Sequence, residues 1–204
     1  MFKIVQAAGW SIWPPIFASL IGLSIILERA WSLRRAKVVP PNLLPELTKE
    51  VGEKGVTQDL LTRLFRGSVL ARVFAVGLGN GHRSRDLMKE SLEEAGRVAV
   101  HELERFLTTL GTIASLAPIM GLFGTVVGMI EIFGAQGATG MTANPQQLAH
   151  GISVALYNTA FGLIVAIPSM IFYRHYRAKV ASLVVEMTAE ATKLVERFYG
   201  QRQP

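Results

Sequence analysis

Cysteine is absent from the 204 residues, so no disulfide framework and no thiolate metal site is available. Charge is scarce too. Only 18% of the residues are Asp, Glu, Lys or Arg, against about a quarter in an ordinary soluble domain. None of them lies between Glu131 and Arg174, a gap that suits lipid, protein interior or a short outer loop. Catalytic signatures are missing: there is no phosphate-cradling P-loop, no Gly-x-Ser-x-Gly elbow and no His-Glu-x-x-His pair. The four histidines, His82, His101, His150 and His175, are scattered along the chain, which argues against a metal centre. These absences predict a protein that is not an enzyme and that holds neither metal nor cofactor.

What is present is apolar. Half the residues are hydrophobic and the mean hydropathy is +0.34, with the apolar residues gathered into blocks. A spanning helix needs roughly 20 mostly apolar residues, because the hydrocarbon core is about 30 Å thick and each helical residue rises about 1.5 Å. Three segments qualify as transmembrane helices: 10–27, 107–133 and 152–173. Trp10 and Trp13 stand at one end of the first and Trp31 just past the other, as an aromatic belt requires.

Orientation follows from the basic residues. Lys3 precedes the first span, fourteen Lys and Arg fall between spans one and two, none falls in the 134–151 loop, and six come after span three. The chain is therefore read as multi-pass in the bacterial inner membrane, with 1–9 and 134–151 periplasmic and 28–106 and 174–204 cytoplasmic. A cleaved signal peptide is the competing reading of the first block. It requires a basic segment before a shorter apolar run, whereas here the positive charge comes after the run, so a retained anchor is expected. The net charge of +6 and pI near 9.9 would suggest nucleic acid in a soluble protein. On one side of a membrane the same residues have a simpler explanation, and no nucleic-acid partner is expected. Arg34, Arg35 and Lys37 lie at headgroup height, where anionic lipid is an expected neighbour.

The cytoplasmic segments read as helical. Pro40, Pro41 and Pro45 break the chain after the first span, and Gly52, Gly55, Gly77, Gly79 and Gly81 punctuate the stretch beyond them. From Ser84 the apolar positions Met88, Leu92, Ala95, Ala99, Leu103 and Phe106 recur every three or four residues. With no Gly or Pro between Ala99 and Leu110, this helix is expected to run unbroken into span two. Val180, Val184, Met187, Ala191, Leu194 and Phe198 likewise prolong span three. The predicted fold is an all-α membrane protein whose spans two and three extend into a cytoplasmic helical bundle.

Spans two and three carry small and hydroxyl residues. Gly121, Gly124 and Gly128 in one and Gly162 in the other suit close helix packing, and we group Pro118 and Pro168 with them. Thr125 lies roughly 12 Å and Thr159 roughly 10 Å from the outer ends of their antiparallel spans, so the two hydroxyls share a depth. A lone threonine in a span usually bonds its own helix; a pair at one depth is better explained as a polar layer facing water, an ion or another helix. Asn158 stands beside Thr159. Glu131, about 9 Å outward of Thr125, is the one carboxylate near the core, and both a functional role and snorkelling to the interface remain open for it.

Ala117-Pro118-Ile119-Met120-Gly121-Leu122-Phe123-Gly124-Thr125-Val126-Val127-Gly128 and the segment from Gly151 through Asn158-Thr159-Ala160-Phe161-Gly162 to Pro168 resemble the paired signature of the MotA/TolQ/ExbB proton channel family. With three spans and a modest cytoplasmic block the chain is most similar to ExbB and TolQ. The resemblance implies a homopentamer around a central pore. It implies a single-span ExbD- or TolR-like partner in that pore, whose aspartate carries the proton past threonines matching Thr125 and Thr159. It further implies a TonB- or TolA-like energiser driven by proton-motive force. On this reading the proton pathway comprises Thr125, Thr159, Asn158 and Glu131. The chain departs from the family pattern at Val154, where a glutamate is common, and at Asn158, where an alanine is common; Glu131 would compensate for the former. The expected function is ExbB-like, energising outer-membrane transport. The alternatives are a TolQ-like role in envelope integrity and division, or a non-conducting scaffold in which the small residues only pack helices.

Overall fold

The computed structural model describes residues 10–81, 84–139 and 145–200, and every regular element among them is helical. A 3-10 turn, Trp10–Ile12, leads into α1 (Trp13–Ser32). Then come α2 (Arg35–Val38), α3 (Leu43–Lys54), α4 (Gln58–Phe65), α5 (Val69–Asn80) and α6 (Arg85–Glu104). The chain closes with α7 (Leu107–Thr139) and α8 (Pro145–Gly200), of 33 and 56 residues. Three helical stretches are long and apolar enough to cross a membrane: Trp10–Ser32, Arg85–Gly134 and Gly151–Gly200. The chain divides into two compact units, Met1–Glu28 with Phe106–His175 and Arg29–Arg105 with Tyr176–Pro204.

The first unit holds the apolar blocks. Ile12, Ala18, Ile25, Leu110, Ile113, Ala114, Ala117, Ala155, Val165 and Ala166 are buried. Large residues nevertheless face outward: Leu122, Ile130, Leu156, Ile164 and Ile171 are 59–66% exposed. In water so continuous an apolar surface would drive association; against lipid tails it costs nothing. Alanines among the core residues with large apolar residues facing outward suit a membrane bundle, where helices meet through close packing. At Gly22 on α1 an added Cβ would lie 3.4 Å from the Ser169 hydroxyl and 3.6 Å from Ile113, so α1 beds against both α7 and α8.

The second unit has a core of larger apolar side chains. Thr57, Ser68 and Ser84 each stand one residue before a helix and accept the amide three residues on, from Leu60, Ala71 and Leu87, which satisfies orphan donors of the first turn. Helix α5 is the central element, with Leu70, Val73, Phe74, Ala75, Gly77 and Leu78 buried. Met88 and Leu92 of α6 and Val180, Met187, Leu194 and Phe198 of α8 share this core. Tyr199 donates to the carbonyl of Gly81 at 2.8 Å. Arg29 is buried, and its Nη1 donates to the Leu103 carbonyl at 3.2 Å, placing a cation on the last turn of α6, where the helix dipole favours it.

Two sequence expectations are corrected. The helix expected to run unbroken into span two stops at Glu104 and restarts at Leu107. Arg105 is extended and Phe106 is left-handed, with φ of 62°. A left-handed non-glycine residue leaves no mark on apolar periodicity, which is why the break was invisible. Glycine also misled in the other direction. Gly52, Gly77 and Gly79 lie inside helices α3 and α5. Gly55, with φ of 71°, and Gly81 do stand just past helix ends. Gly77 is a packing residue: a Cβ there would come within 2.5 Å of Leu92. Of the positions assigned from sequence, 1–9, 82–83, 140–144 and 201–204 lie outside the described residues.

Candidate functional site

Helices α7 and α8 cross in the first unit, and glycine sets how near they come. A Cβ on Gly162 would lie 2.6 Å from the Ala117 carbonyl oxygen and 3.1 Å from the Gly121 Cα. A Cβ on Gly121 would lie 2.8 Å from the Asn158 carbonyl oxygen and 3.0 Å from the Thr159 Cα. The two backbones therefore touch, which only a small-residue face permits. Further along, a Cβ on Gly124 would meet the Asn158 side chain at 2.9 Å, and Gly128 lies opposite Ala155 at 3.7 Å. Gly121, Gly124 and Gly128 recur at three and four, so they form one ridge of α7 against Ala155, Asn158 and Gly162 of α8.

The two threonines flank this ridge. Thr159 borders the Gly121 contact, and Thr125 sits one helical turn beyond Gly121 on α7. Both are half-buried. The Thr125 hydroxyl donates to the Leu122 carbonyl at 2.6 Å, the back-bond a threonine makes in an apolar helix; its oxygen lone pairs stay available to another donor. Asn158 is placed differently. It is 2% exposed, and its Nδ2 donates to the Ser11 hydroxyl at 3.2 Å. It therefore lies between α7, α8 and the opening 3-10 turn within a single chain. Its Oδ1 has no hydrogen-bond partner among the described residues. Trp10 meets Phe123 edge to face with centroids 6.4 Å apart, which ties the turn to α7 as well.

Glu131 belongs to the backbone of α7, which continues to Thr139; its side chain lies outside the described residues. Pro118 sits half-buried inside α7, next to the Ala117 carbonyl that Gly162 approaches, and Pro168 is exposed inside α8. Val154 is half-buried on α8. Sequence reasoning passed over Ser11, which stands 147 residues from its partner Asn158; its only signal was being a lone hydroxyl between Trp10 and Trp13. Among the described residues no three His, Asp or Glu side chains gather closely enough to hold a metal.

Chemically, hydroxyls and an amide can orient a water or a proton-bearing group but cannot themselves carry a proton near neutral pH. Membrane-length helices in backbone contact, edged by threonines, define a helical membrane protein. The chain belongs to the MotA/TolQ/ExbB proton channel family, whose sequence profile matches residues 65–189, taking in α5, α6, α7 and most of α8. It is 27% identical over 202 residues to "Putative biopolymer transport protein ExbB-like 3" of Synechocystis sp., covering 96% of this chain and 95% of that one. It is 33% identical over 144 residues to "Biopolymer transport protein ExbB" of Aquifex aeolicus, covering 71% of this chain and 92% of the other. With "Tol-Pal system protein TolQ" of Pseudomonas aeruginosa it shares 39% identity over 103 residues, 48% of this chain and 44% of the relative. It is thus a multi-pass membrane protein and an energiser subunit of the ExbB/TolQ type.

Proposed function

We propose that this chain is the ExbB-like stator of an inner-membrane proton motor that energises outer-membrane transport. Five copies surround a pore, and a single-span ExbD-like partner brings into it the carboxylate that carries the proton past Thr125 and Thr159. A TonB-like protein takes up the work. The observation that carries the reading is the pair of half-buried threonines flanking a backbone-contact crossing. Thr125 and Thr159 offer hydroxyls to a passing carboxylate while the glycine ridge holds them in place. Asn158 and Ser11 brace the wall from behind. The TolQ-like alternative, in which the energiser is TolA-like, draws on the 39% identity to a TolQ.

Thr125→Val with Thr159→Val keeps the volume and removes both hydroxyls. In a strain depending on this chain, the double variant should lose at least about tenfold of proton-motive-force-dependent activity, a magnitude typical of lost proton-transfer partners. The purified oligomer should keep its size. Full activity in that variant would support a passive scaffold. Glu131→Gln tests whether this carboxylate replaces the glutamate missing at Val154: coupling should fall with assembly intact, and wild-type activity would discard the role.

A further inference from the structure

Just after the first span, positive charge accumulates along the chain. From Arg29 to Pro45 the chain carries Arg29, Arg34, Arg35 and Lys37 and no Asp or Glu. Two of these cations are engaged: Arg29 is buried on the Leu103 carbonyl, and Arg35 holds Glu186 at 2.8 Å. The other two converge on one ring. The Arg34 guanidinium carbon lies 4.7 Å and the Lys37 ammonium 4.6 Å from the ring centroid of Trp31. Neither pairs with a carboxylate of the described residues, and Trp31 is 58% exposed.

We infer that Trp31, Arg34 and Lys37 form a binding site for the phosphate of an anionic membrane phospholipid. The ring attracts each cation by quadrupole interaction, but it cannot neutralise two like charges held at one indole. An anion with several oxygens can: guanidinium presents a planar fork to two of them and ammonium acts as a point charge on a third. A membrane source is favoured over free phosphate by what precedes the site on the same helix. Phe17, Leu20 and Leu27 of α1 are 59%, 56% and 63% exposed. Their spacings of three and seven, with four more to Trp31, keep one helical face. Acyl chains lying on that face end their headgroup beside an indole at the interfacial position such rings prefer.

The test uses the full-length chain in detergent micelles with Trp10→Phe and Trp13→Phe, so that Trp31 is the remaining tryptophan of three. Trp31 emission is titrated with acyl-brominated phosphatidylglycerol and, separately, with brominated phosphatidylcholine. Phosphatidylglycerol should quench at a roughly thirtyfold lower mole fraction, as two interfacial cations imply. Arg34→Gln with Lys37→Gln should abolish that preference, while Lys49→Gln with Lys54→Gln, also on the cytoplasmic side, should preserve it. Equal quenching by both lipids in the unaltered site, or loss of preference in the Lys49/Lys54 control, overturns the inference. Displacement of phosphatidylglycerol by millimolar inorganic phosphate also overturns it, assigning the cations to free anions instead. None of these readouts depends on proton conduction.

Discussion

Of the glycines whose missing side chain would meet backbone at the α7–α8 crossing, Gly162 has the least room, 2.6 Å from a carbonyl oxygen. Carbonyl oxygens inside a helix cannot swing away as a flexible side chain can, so Gly162→Ala must separate the helices. Overpacking of this kind costs about 1–3 kcal/mol, and the detergent-solubilised protein should melt several degrees lower by tryptophan fluorescence. Gly128→Ala, whose Cβ would meet Ala155 at an ordinary 3.7 Å, should leave the melting temperature unchanged. Residue spacing made the small-residue ridge legible, because glycines at three and four in an apolar helix have few other uses. The location of Asn158 was not legible. Its neighbour along the chain is Thr159, and adjacent residues point about 100° apart on a helix, so one borders the crossing's edge while the other is sealed inside. Choosing between them requires knowing that the 3-10 turn at Ser11 closes over that face.

Among the helices, long apolar blocks announced themselves and fine breaks did not. The stripe from Val180 to Phe198 foretold a helix continuing past span three, and α8 is one helix of 56 residues. The matching stripe before span two ends in a break, because Phe106 takes φ of 62°. That conformation costs an L-residue about 1–2 kcal/mol. Proline cannot adopt it, since its ring fixes φ near −65°, whereas glycine enters it freely. Phe106→Pro should therefore lower the yield of folded, monodisperse protein severely, and Phe106→Gly should stay within about 1 kcal/mol of the parent, its relief of strain offset by greater chain entropy. If both variants behave alike by size-exclusion and thermal melting, the left-handed turn is not the joint between α6 and α7. Helix α5 was hidden for a related reason: three glycines in five residues, Gly77, Gly79 and Gly81, look like a loop until Leu92 is seen filling the space beside Gly77.

At the scale of the molecule, sidedness rests on charge counting, and the chain's lack of cysteine makes it directly measurable. Fourteen Lys and Arg between spans one and two against none in the 134–151 loop is a bias that the membrane potential and the insertion machinery both read. Since basic residues flanking the ends of spans stay inside, the segment containing Asn144 should face the periplasm and the segment containing Gln58 the cytoplasm. Asn144→Cys and Gln58→Cys each create a lone thiol in a cysteine-free background, so any labelling reports that position and no other. A membrane-impermeant maleimide added to intact spheroplasts should modify Asn144→Cys and spare Gln58→Cys. Permeabilisation should then render Gln58→Cys, whose parent residue is exposed, equally reactive. The reverse pattern would invert all three spans at once. It would also carry the Trp31, Arg34 and Lys37 cluster to the outer leaflet, so the labelling result decides from which side a lipid phosphate reaches it.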